Sequence, residues 1–148
     1  MKVLVPVDGS KYSLEALRVA IDLVQAKGGE ITVINVVPFI GGIDDHEISP
    51  GKRERHMESM EKRADEIVRE AADMLVGASV AAKSTQKVVT SVSVPDAVID
   101  YAEKERVDVI VLGSRGLSPS ARFKLGSVAS QVVKYAPCSV YVVKLGGE

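Results

Sequence analysis

Gly113 and Gly116, then nine intervening residues, then Gly126, Ser127 and Val128 form the stretch of this chain best suited to chemistry. Main-chain N–H groups hold phosphate only if they can approach it closely, and glycine removes the side chain that would stand in the way. If a helix starts at Gly126, the N–H groups of Gly126, Ser127 and Val128 have no partners inside it. They then point outward as donors, aligned with a favourable helix dipole. The Ser127 hydroxyl adds a further hydrogen bond. Arg115, Arg122 and Lys124 bring positive charge nearby, and the sequence does not fix which of them faces an anion. A plainer reading competes, in which the glycines at 113 and 126 only permit turns.

The elements around this loop bear on that choice. Short runs rich in valine and isoleucine, at 2–7, 31–37, 85–92, 107–112 and 139–143, alternate with stretches of helical periodicity. That alternation predicts parallel strands joined by crossover helices. After the first run, Ser10 is placed to cap a helix, with Leu14, Leu17, Ile21 and Val24 on one face and Gly28 and Gly29 at its end. The second run is apolar on both faces apart from Thr32 and Asn35, as in a strand covered by helices on either side. Residues 38–51 read as an irregular connection. A long helix follows, striped with Met57, Met60, Ala64, Ile67, Val68, Ala71 and Leu75, and Gly77 is its expected stop. A third helix near Pro95 turns Ala97, Val98, Tyr101 and Ala102 inward, and a fourth runs from Gly126 and Ser127 to just before Pro137.

The expected fold is therefore α/β: one domain over residues 1–148, with an open, doubly wound, five-stranded parallel sheet, strand order 3-2-1-4-5, and helices on both faces. Such sheets bind ligands beyond the carboxyl ends of the strands, where strand order reverses. The glycine stretch follows the fourth strand and borders that crevice, which favours the anion-binding reading.

The 148 residues are 46% hydrophobic, enough for one core without disulfides. Nineteen basic and twenty acidic residues leave a net charge of −1 with no long block of one sign. Nucleic acid and membrane surfaces are not the expected partners. Cys138 is the only cysteine, no stretch reads as a secretory signal or a membrane span, and the expected compartment is the cytoplasm.

The spacing Gly113, two residues, Gly116, nine residues, Gly126 and Ser127 resembles the ATP-binding signature of universal stress proteins. The resemblance takes in the opening Val3-Leu4-Val5-Pro6-Val7-Asp8-Gly9-Ser10, the run Val111-Leu112-Gly113-Ser114-Arg115-Gly116, and Pro137-Cys138-Ser139-Val140-Tyr141-Val142-Val143. It implies that Gly113, Gly116, Gly126, Ser127 and Val128 lie against the ribose and phosphates of ATP, or of ADP or AMP, and that Leu112 walls the site. It also matches Pro6 and Asp8 to a first-strand proline and aspartate, and Val36 to a position whose main chain meets the adenine edge. A carboxylate is repelled by a triphosphate, so Asp8 suits a ribose hydroxyl or the adenine amine better. Alternatively, Asp8 stabilises only its own turn with Gly9 or Ser10. Magnesium or manganese is expected to arrive with the phosphates and keep most of its waters. The resemblance further implies a homodimer paired through the last strand, Val140, Tyr141, Val142 and Val143.

Other features carry less. The segment Asp44-Asp45-His46-Glu47 reads as a solvated loop before it reads as a metal site, His56 has no partner at ligand spacing, and Cys138 reads as an inert thiol. The expected role is an ATP-binding regulatory or stress-response factor; a slow ATPase or nucleotide hydrolase is the alternative. No Walker lysine motif and no base in the glycine loop support efficient catalysis. A phospho-accepting receiver domain is disfavoured because Thr90-Ser91-Val92-Ser93 stands where its aspartate belongs.

Overall fold

A computed structural model describes residues 1–38, 50–80, 82–90, 92–117 and 125–146. Strands β1 (Lys2–Pro6), β2 (Glu30–Pro38), β3 (Ala82–Thr90), β4 (Val109–Gly113) and β5 (Ser139–Val143) alternate with helices α1 (Lys11–Lys27), α2 (Pro50–Gly77), α3 (Val94–Lys104) and α4 (Ser127–Tyr135). The strands form one parallel sheet in the order β3-β2-β1-β4-β5. Order reverses at β1, whose neighbours are reached by crossovers in opposite directions.

Alternation along β1 divides the core in two. Val3, Val5 and Val7 pack with Leu17, Ile21 and Val24 of α1 and Ile67, Ala71 and Leu75 of α2. Leu4 faces the other way, joining Ile34, Ile110 and Leu112 under Val98 and Ala102 of α3 and Ala129 and Val132 of α4. Helices therefore cover both faces, and Leu4, Val5, Val33 and Ile34 are fully buried.

The helix ends follow from local chemistry. The Ser10 side chain accepts from Ser13 N at the start of α1, and the Gly28 N–H donates to Val24 O at its end, where φ is +79°. The Ser93 side chain accepts from Asp96 N to open α3.

Several expected details shift. The third strand begins and ends earlier than 85–92, and the fourth runs 109–113 in place of 107–112. Val107 instead closes the turn after α3, its N–H on Ala102 O. On α1, Ser13, Ala16 and Ala20 are buried and Leu14 only half-buried, because small residues let the helix sit close to the sheet. Met57 and Met60 are also half-buried, and the buried stripe of α2 starts at Ala64. The expected loop around 44–47, with His46, lies in residues 39–49, outside those described, as do Arg122 and Lys124. No helix among the described residues is long and apolar enough to cross a membrane.

Candidate functional site

A cleft of about 620 Å³ opens at the carboxyl ends of β1, β2 and β4. That volume lies within the range that takes a small organic ligand. Its position follows from the sheet. Proline at position 6 has no N–H with which to extend a ladder, and β1 pairs with β4 only through Val3–Val109 and Leu4–Ile110. The β4–β5 ladder continues to Gly113–Val143, so β1 and β4 part below the end of β4. The gap is the crevice expected where strand order reverses.

All nine residues singled out from the sequence line this cleft: Pro6, Asp8, Val36, Leu112, Gly113, Gly116, Gly126, Ser127 and Val128. Arg115 lines it too, and among the described lining residues only Asp8 and Arg115 carry ionisable side chains. The polar residues Ser13, Asn35 and Ser130 and the apolar Val7, Val94, Leu117 and Leu125 complete much of the wall. Sequence reasoning did not assign these to the site. Asn35 was detectable as one of two polar residues in an otherwise apolar strand, but nothing in that pattern indicated where its amide would point.

The three glycines differ in what an added side chain would meet. A Cβ on Gly113 would lie 2.6 Å from Tyr12 Cβ and 2.8 Å from the Tyr12 carbonyl carbon, so β4 ends pressed against the first turn of α1. A Cβ on Gly116 would lie 2.6 Å from Asp8 Oδ2. At Gly126 the nearest atoms to such a Cβ are 3.5 Å away, an ordinary contact. The first glycine is needed by the fold and the second by the approach of the loop to Asp8, while at the third a Cβ would make only ordinary contacts with the main chain of residues 114–116.

That helix start is available to a ligand. Gly126 caps α4 without a side-chain hydrogen bond, and no acidic residue occupies its first turn. The Gly126 N–H donates to Ser114 O at 2.7 Å and Ser114 N–H donates to Val143 O at 2.8 Å, which anchors both ends of the glycine loop to the sheet. The first-turn N–H groups beyond Gly126 have no acceptor within the helix and border the cleft. Contrast α3, whose first turn carries Asp96 and the Ser93 cap and so supplies its own negative end. An anion is better placed at α4.

Asp8 fits both roles weighed for it. Its Oδ1 accepts from Ser10 N at 2.9 Å, which is the turn-stabilising role, while Oδ2 lies against Gly116 at the cleft wall. The Asp8 N–H donates to Ser13 Oγ at 3.3 Å, and Ser13 Oγ donates to Ser10 O at 3.0 Å, fixing the turn from beneath. Next to it, Val7 is tied to β2 twice: its N–H donates to Ile34 O at 2.9 Å, and its carbonyl accepts from Asn35 Nδ2 at 2.7 Å.

Comparison with known proteins agrees with this architecture. The sequence model of the universal stress protein family matches residues 1–144. The universal stress protein MJ0531 of Methanocaldococcus jannaschii is 34% identical over 146 residues, covering 97% of this chain and 81% of that protein. Among solved structures, the universal stress protein UspA from Lactobacillus plantarum superposes with a TM-score of 0.79 at 26% identity, over 97% of each chain. A universal stress protein solved in complex with cAMP superposes with a TM-score of 0.67, also at 26% identity, over 97% of this chain and 96% of that one.

Proposed function

Because this chain belongs to the universal stress protein family, we propose that its cleft binds an adenine nucleotide, ATP or else ADP or AMP, and that occupancy regulates a stress response through the protein's surface. The observation that carries the reading is the convergence of an uncapped helix start, a close-packed glycine loop and an apolar pocket at one switch point. The α4 start and Arg115 would take the phosphates. Gly113 and Gly116 would lie along the ribose, and Val36 and Leu112 would border the base. Asp8, held by Ser10, keeps Oδ2 for a ribose hydroxyl or the adenine amine. The related structure holding cAMP supports an adenine nucleotide as the ligand class.

The cleft suits binding better than turnover. Its one described carboxylate, Asp8, is engaged by Ser10 N and packed against Gly116, and no described histidine, lysine or glutamate lines it. Slow hydrolysis of ATP, by water reaching a positioned triphosphate, is the most catalysis this arrangement supports. Among the described residues no cluster of three histidine, cysteine, aspartate or glutamate side chains stands ready for a metal. Magnesium or manganese would enter with the phosphates and be held mainly by them and by water.

The protein is further read as a single cytoplasmic domain that forms a homodimer and engages neither nucleic acid nor membrane. β5 is an edge strand with Tyr141 half exposed, and pairing it with a second copy would cover both its apolar side chains and its open main-chain edge. The experiment is calorimetric titration of the ligand-stripped protein with ATP and magnesium, alongside Gly126→Val. Saturable binding by the wild type, lost in a variant that keeps its circular dichroism spectrum, is the expected result. Equal binding by both would remove the phosphates from the α4 start.

A further inference from the structure

We propose that Asn35 is a positioning residue that releases the main chain of Val36 from the sheet so that it can read the edge of the base. Ladder parity fixes which main-chain groups should pair beyond the end of β1. In a parallel pair, a residue that donates its N–H to one partner residue accepts, through its own carbonyl, from the N–H two residues further along. Val7 N–H donates to Ile34 O, so the next bond of the ladder would run from Val36 N–H to Val7 O. That acceptor is taken by a side chain, Asn35 Nδ2, at 2.7 Å, and among the described residues no main-chain N–H donates to Val7 O. Asn35 is only 7% exposed, so the substitution is built into the structure.

The consequence falls on Val36. By the same parity its N–H and C=O point toward the β1 side, past the place where β1 has ended and turned away at Asp8, and Val36 lines the cleft. Val36 is half-buried at the cleft wall, and a main-chain pair there without a ladder partner is open to water or to a ligand that can replace it. One donor and one acceptor side by side match adenine, whose ring nitrogen accepts and whose amine donates. They mismatch hypoxanthine, whose corresponding positions donate and accept in reverse. Asn35 therefore sets base preference without touching the base. This inference rests on the adenine-nucleotide reading of the cleft.

The test compares AMP with IMP by calorimetry on wild type and Asn35→Leu, and follows Val36 by amide hydrogen exchange in the wild type. Wild type is expected to prefer AMP by about tenfold or more, the scale of one mismatched hydrogen-bond pair. In folded Asn35→Leu, Val36 N–H recaptures Val7 O, and the AMP-to-IMP ratio falls toward one while IMP binding changes little. In the ligand-free wild type the Val36 amide should exchange faster than that of Ile34 and become protected when AMP binds, a readout that needs no variant. An unchanged ratio in a folded variant, or a Val36 amide as protected as Ile34 without ligand, overturns the proposal. Wild-type binding without preference between AMP and IMP overturns it while leaving the nucleotide site standing. Binding of neither overturns both.

Discussion

Replacing Gly113 and Gly116 separately by alanine should divide stability from binding, because the two added methyl groups meet different kinds of neighbour. At Gly113 the new Cβ lies 2.6 Å from Tyr12 Cβ and 2.8 Å from a main-chain carbon of the same residue, against an ordinary contact of 3.4–4 Å. Those atoms belong to the first turn of α1, which is fixed by the Ser10 cap and by the packing of Ala16 and Leu17. Relief therefore requires moving a helix relative to β4. Overpacking of this kind costs about 1–3 kcal/mol, which in a chain of this size lowers the melting temperature by roughly 2–12 °C. At Gly116 the methyl meets only Asp8 Oδ2, the end of a side chain, and the carboxylate can turn aside at the expense of its bond to Ser10 N. That exchange costs about 1 kcal/mol or less in stability, but it displaces the group assigned to the nucleoside. Loss of one hydrogen bond to a charged group, about 1.5–3 kcal/mol, weakens AMP binding by roughly 10- to 150-fold. Thermal melts and calorimetric titration of both variants check the pair. If Gly113→Ala melts with the wild type, or if Gly116→Ala binds AMP normally, the assignment of these glycines is wrong.

Three further outcomes follow from the same geometry. Ser114 is fully buried and, among the described residues, its hydroxyl has no hydrogen-bond partner, so Ser114→Ala should leave stability unchanged or raise it by up to about 1 kcal/mol in urea unfolding. Ser114 N–H on Val143 O places the inward-facing groups of β5 at Tyr141 and Val143, which leaves Val142 N–H on the open edge. For the proposed homodimer, Val142→Pro should thus keep the fold and give a monomer by light scattering; a variant that still dimerises would remove β5 from the interface. Burial is the main cause that pushes the Cys138 thiol above its usual range, with Asp108 adding to it and a hydrogen bond involving the Ile110 main chain opposing. Its folded pKa exceeds its unfolded one, so the stability it contributes is fully present below the ordinary thiol pKa and is lost as pH rises from there through the folded value. Alkylation at mildly alkaline pH should accordingly be slower in the native protein than in the urea-unfolded chain, and equal rates would refute the burial argument.

Much of the architecture was legible because its signals are local. The Ser10 cap, the helix start at Pro95, the Gly28 stop and the alternation of valine runs with amphipathic helices each depend on residues close in sequence. The glycine side of the cleft was legible for a related reason, since glycines after β4 mark where main chain must come close, whereas Pro6 and Val36 were placed only by the resemblance to universal stress proteins. What stayed hidden depends on contacts between distant segments. Gly113 against Tyr12, Gly116 against Asp8 and Asn35 against Val7 each join residues that no periodicity connects. Strand limits shifted by two or three residues because tertiary pairing sets where a valine-rich run stops being strand. Met57 and Met60 fit the helical stripe yet are half-buried, since amphipathic spacing shows which face is apolar and not how far along it the sheet extends.

Titrating ligand-stripped, isotope-labelled protein with AMP while following its backbone amide resonances would show whether an adenine nucleotide sits between β1 and the start of α4. Saturable shifts concentrated at Asp8, Val36, Gly113, Gly116 and Gly126 through Val128, with α3 and the amino ends of the strands unmoved, are the predicted result. A well-folded spectrum that does not change at millimolar AMP or ATP, or shifts that gather elsewhere on the surface, would contradict it.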